Sequence, residues 1–122
     1  MTETYDLFQQ GKRHLRNGDA EQASVALEQA KLREPNKASI REALGIAYFR
    51  SRRWQEAEAE FRVLVELAPA DHYGHYALGR ALEKQGRKDE AAGHLKLAEV
   101  LEPDPPAQVS DPLARIQDAQ NP

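Results

Sequence analysis

Cysteine is missing from all 122 residues. Disulfide staples, thiolate metal ligands and cysteine nucleophiles are therefore excluded. Aromatic residues are scarce at 7%, with a single tryptophan. No apolar run approaches the roughly 20 residues that a membrane-spanning helix needs. The start, "MTETYDLFQQ", has no basic cluster followed by an apolar stretch, so no secretory signal is read there. These absences lead to the expectation of a soluble, cytoplasmic protein with no membrane partner. A basic excess is also lacking. The net charge is −3, the wrong balance for a nucleic-acid partner. Neither a P-loop nor a GxGxxG motif occurs. The four serines, Ser24, Ser39, Ser51 and Ser110, sit in no nucleophile-type motif. No enzyme and no cofactor are expected.

What is present is helical in composition. Hydrophobic residues make up 40%, many of them alanine and leucine, and charged residues 30%. This usage suits amphipathic helices in one small domain. One stretch hints at chemistry. "DHYGHYALGRAL", residues 71–82, sets His72 and His75 three apart behind Asp71. On a helix the two imidazoles share a side, as a metal site would want.

A period of 34 residues overrides that hint. Pro35, Pro69 and Pro103 are spaced by it, as are Gly11, Gly45 and Gly79. Ala23, Ala57 and Ala91 keep the same interval, and so do Leu27, Phe61 and Leu95. Four series in one register define repeats at 4–37, 38–71 and 72–105 within a 1–105 domain. Each repeat reads as two helices. In the second, Leu44, Gly45 and Tyr48 share a face of the first helix, and Ala57, Phe61 and Leu64 recur at i, i+4, i+7 on the other. Gly45 with Ala57, and their equivalents, predict a close approach of the two helix backbones. Gly18 and Gly86 fit the turn between helices. Arg52 stands there in repeat 2, which predicts a somewhat different turn. In this frame Asp71 is a helix N-cap and His75 a core-edge residue, so no metal is expected. His14 and His94 look isolated. In "EAEAE", Glu56, Glu58 and Glu60 spread around the helix as a solvated face, with Glu58 and Arg62 as an i, i+4 surface pair.

On these residues the chain resembles the tetratricopeptide repeat family: "EALGIAYF" with Leu44, Gly45 and Tyr48, "HYALGRAL" with Leu78, Gly79 and Leu82, then Ala57, Phe61 and Pro69. Repeat 1 departs most, with Gln10 before Gly11 and His14 in the tyrosine slot. The resemblance implies an all-α, right-handed superhelical solenoid whose first helices line a concave face that binds another protein or peptide. Carried over from the family, the groove residues are Tyr5, Phe8, Lys12 and Arg16 in repeat 1. Repeat 2 gives Glu42, Ile46, Phe49 and Arg50, and repeat 3 gives Tyr73, Tyr76, Arg80 and Lys84. The family subtype that clamps the EEVD terminus of heat-shock chaperones needs lysine, asparagine, asparagine, lysine and arginine. The matching residues here are Phe8, Lys12, Ala43, Tyr73 and Ala77, so that clamp is absent.

Charge is segregated between the helices. The first helices (4–17, 38–51, 72–85) hold seven basic and three acidic residues, and the second helices (20–33, 54–67, 88–101) hold five and nine. An acidic protein thus carries a basic inner side, which favours acidic partner groups. Lys31 and Lys96 are assigned to the opposite side. The alternative is a structural protein that forms homo-oligomers through its open ends, because no polar cap is obvious in the sequence. The tail, 106–122, is rich in proline. Asp111 and Pro112 can start a short helix there, with Leu113 and Ile116 on one face.

Overall fold

The computed structural model describes residues 3–101. The tail and the closing Pro103 lie outside the described residues, and so does the short helix expected after Asp111. Six helices follow one another: α1 (Glu3–Arg16), α2 (Ala20–Arg33), α3 (Ala38–Arg50), α4 (Trp54–Leu67), α5 (His72–Lys84) and α6 (Lys88–Leu101). Each packs on its neighbours in chain order, and α1 also reaches α3. This is an all-α helical repeat fold. Among the described residues no helix is long and apolar enough to cross a membrane.

The core runs along the seam between odd and even helices. Leu15, Leu27, Ile40, Leu44, Ile46, Phe61, Leu64, Leu78 and Leu82 are its largest fully buried side chains. The repeated glycines act differently from the expectation of direct backbone contact at the alanines. A Cβ on Gly45 would run into the ring of Phe61, and one on Gly11 into Leu27. At Gly79 it would lie 2.7 Å from Leu95. Each glycine is thus a socket for the large residue of the partner helix, one turn beyond the small alanine. At Gly79 the backbone of the paired alanine is close as well, with the Ala91 carbonyl 3.3 Å from the added Cβ, as the sequence register expects.

The turns inside the three pairs are alike, contrary to the difference expected at Arg52. Gly18, Arg52 and Gly86 all take positive φ, at 84°, 63° and 78°. The same closing bond follows each time. Asp19, Arg53 and Arg87 donate their backbone N–H to the carbonyls of His14, Tyr48 and Leu82 at 2.8, 2.9 and 3.1 Å. This is the left-handed termination that glycine adopts without strain and arginine does not. Geometry, not residue type, is repeated.

Among the described residues the first helix is polar on its uncovered stripe, and the last helix is mixed, with Leu97 and Val100 exposed. Gly74 faces Leu64 and Val65 of the preceding helix, and Tyr48 donates to Glu28 of α2. Ile40, Leu44 and Tyr48 therefore mark the stripe that meets a preceding repeat. In α1 the same stripe is Asp6, Gln10 and His14. At the far end, Ala92, Lys96 and Glu99 of α6 are exposed where Glu58, Arg62 and Val65 of α4 meet the next repeat. The departures of repeat 1 from the family pattern, Gln10 and His14, fall on this stripe of α1.

Candidate partner-binding face

The expected groove residues all lie on α1, α3 and α5, but they divide by exposure. Ile46, Phe49 and Tyr73 are buried at 0%, 7% and 3%. They pack the interior, so as sequence-level groove contacts they are corrected to core positions. Tyr5, Arg16 and Lys84 are exposed, and Phe8, Lys12, Glu42, Arg50, Tyr76 and Arg80 are half-buried. On this side α1 also touches α3.

The cations on this side differ in what holds them. Lys12 sits 5.0 Å above the Phe8 ring, and Lys84 5.5 Å above the Trp54 ring. Phe49 meets Trp54 edge-on at 4.9 Å between centroids. Trp54 therefore links the buried Phe49 to the exposed Lys84, a connection the repeat pattern did not signal. Tyr76 leans on Tyr73 at 6.4 Å. The guanidinium of Arg50 donates to the Leu15 carbonyl and so completes the C-terminus of α1. Arg80 pairs with Glu83 at 2.7 Å. No ion pair joins Lys12, Arg16 or Lys84 to a carboxylate among the described residues.

The even helices are different, and here the expected solvated face needs correction. The Glu60 side chain is only 6% exposed and accepts from Lys31 at 3.0 Å and Arg41 at 2.9 Å. Burial pushes the Lys31 ammonium down, but the bond from Glu60 and the charges of Glu60 and Glu28 outweigh it and hold it above the usual lysine range. Lys31 is thus a tie between repeats rather than a spare outer charge. Glu58, 12% exposed, is no isolated surface pair either. It accepts from Arg62, Gln85 and Arg87. Burial raises its carboxyl, and the bonds from Gln85 and Arg62 with the charges of Arg62 and Arg87 more than reverse that. Arg62 and Arg87 both reach Glu90 as well. Periodicity could not reveal these ties, because they join residues 19 to 29 positions apart.

The histidine stretch resolves into structure. Asp71 caps α5 by accepting from the Tyr73 N–H at 3.1 Å. His75 is buried at 6%, and its Nε2 meets the Pro69 carbonyl at 2.9 Å. His94 is not isolated: its ring stacks on His75 with Nδ1 atoms 3.5 Å apart. Burial, then the neighbouring His75 and Arg62, hold its imidazole below the usual range. Among the described residues no three His, Cys, Asp or Glu side chains come together to hold a metal.

A family model described as Tetratricopeptide repeat matches residues 8–72 and 64–107. The chain belongs to the tetratricopeptide repeat family. Solved structures of the family share its architecture. The first tetratricopeptide domain of Spaghetti (RPAP3), bound to an HSP90 peptide, superposes with a TM-score of 0.82 at 19% identity, over 98% of this chain and 94% of that one. A structure of MamA gives a TM-score of 0.77 at 26% identity, covering 80% of this chain and 58% of that one. The CopN–Scc3 complex contributes a match with a TM-score of 0.79 at 18% identity, over 96% of this chain and 68% of that one. A comparison with curated protein sequences returns no significant match. Tetratricopeptide repeats are a protein-interaction fold, and the positions set against the EEVD clamp in the sequence can be located here. Ala43, Tyr73 and Ala77 are buried, and Lys12 lies over Phe8.

Proposed function

We propose that this tetratricopeptide protein is an adaptor that binds an extended, acidic segment of a partner protein along α1, α3 and α5. The carrying observation is the asymmetry of charge neutralisation. On the even helices Lys31, Arg33 and Arg62 are each tied to a carboxylate. On the odd helices Lys12, Arg16 and Lys84 stand over aromatic rings or in solvent. An unneutralised basic surface beside half-buried aromatics supports capture of carboxylates together with apolar contact. Relatives that bind peptides or proteins support the general mode, and the lost clamp argues for a ligand other than a chaperone terminus. Homo-oligomerisation through the ends is the second reading, and the exposed Leu97 and Val100 of α6 speak for it. Non-enzymatic action and a cytoplasmic site of action belong to the same reading.

The test is charge reversal. Lys12→Glu with Arg16→Glu should weaken binding of an acidic peptide about tenfold or more, read by fluorescence anisotropy. Lys96→Glu, at a side chain 76% exposed, should leave it unchanged. Equal losses in both variants would contradict the reading.

A further inference from the structure

An open cleft of about 710 Å³ lies where the turn of repeat 2 meets the turn of repeat 3, lined by Arg52, Arg53, Trp54, Gln55, Glu56, Gln85 and Arg87. It adjoins the Lys84 end of the α5 face, with Trp54 between the two. Of its three arginines two are already held by carboxylates. Arg53 is engaged by Glu56 and Glu21, and Arg87 by Glu58 and Glu90. Arg52 is exposed, and no carboxylate pairs with it among the described residues. It also holds positive φ where the other two repeats use glycine. Its backbone geometry belongs to the repeat, and its side chain faces solvent. Trp54 supplies an apolar wall beside it and carries Lys84 5.5 Å above its ring.

We propose that this cleft is a second binding site, taking carboxylate side chains of an acidic protein segment, with Arg52 as the primary anion contact and Trp54 as the apolar wall. A fork of guanidinium donors suits planar carboxylates. A nucleic-acid ligand fits less well, since the whole chain carries a net charge of −3.

Trp54 is the single tryptophan, so its fluorescence reports the cleft directly. The intact protein is titrated with an acetylated octapeptide of alternating aspartate and glutamate, with octalysine, and with a single-stranded oligonucleotide. The acidic peptide should give a saturable, salt-sensitive change and octalysine none. Arg52→Gly should weaken that binding about three- to tenfold. Because glycine suits the turn, this variant should melt higher than the parent, so the loss cannot come from unfolding. Undiminished affinity in Arg52→Gly would overturn the proposal, as would an oligonucleotide binding as tightly as the peptide. Lys12→Glu with Arg16→Glu separates this site from the concave face. A Trp54 response that persists there supports an independent cleft, and one that vanishes overturns it.

Discussion

Single residues set the close contacts and the turns. Gly45 was readable as a packing position from its period, but its partner was not. The sequence pointed to Ala57, whereas the space it leaves is filled by Phe61. Gly45→Ala places a methyl against a fully buried ring that cannot move away, and should cost about 1–3 kcal/mol in denaturant melts. Gly93, whose added Cβ would meet nothing within 4 Å, is the control. Gly93→Ala should be neutral or stabilising. Arg52 gives the opposite sign. Relieving its left-handed backbone with glycine should raise stability by about 1 kcal/mol. No propensity argument could have placed Arg52 in that conformation. The neighbouring helix pair imposes it, since all three turns must close on the same carbonyl position.

At the scale of the helix, the six elements were legible because their signals are local. The 34-residue register, the turn glycines and the capping Asp71 each act within a few residues of themselves. The side chains that tie one repeat to the next were not legible, because charge alone does not say whether a glutamate faces water. Glu60 and Glu56 lie one turn apart on α4, yet Glu60 is 6% exposed and Glu56 48%. Glu60→Ala leaves Lys31 and Arg41 facing each other without their shared acceptor. It should cost about 2 kcal/mol, whereas Glu56→Ala should stay within about 0.5 kcal/mol. Equal costs in thermal or denaturant melts would mean that the Lys31–Glu60–Arg41 tie adds nothing to the contact between repeats.

For the whole molecule, the separation of charge between odd and even helices follows from the sequence, and its consequence depends on pairing. Nine of the twelve residues expected on this face, Glu42 and Arg50 among them, keep exposure. Tyr5, Phe8, Lys12, Arg16, Tyr76, Arg80 and Lys84 remain accessible, while Ile46, Phe49 and Tyr73 turn inward to fill the seam. Family position alone cannot separate those groups, because a helix between two neighbours buries more than one stripe. The central claim is that the accessible part attracts acidic segments. The most direct measurement is an amide chemical-shift map of the intact protein on addition of the acidic octapeptide. The account predicts the largest shifts along α1, α3 and α5, near Lys12, Tyr76, Arg80 and Lys84, with a second cluster at Arg52 and Trp54. Shifts confined to the outer surfaces of α2, α4 and α6, or no shifts at saturating peptide, would contradict it.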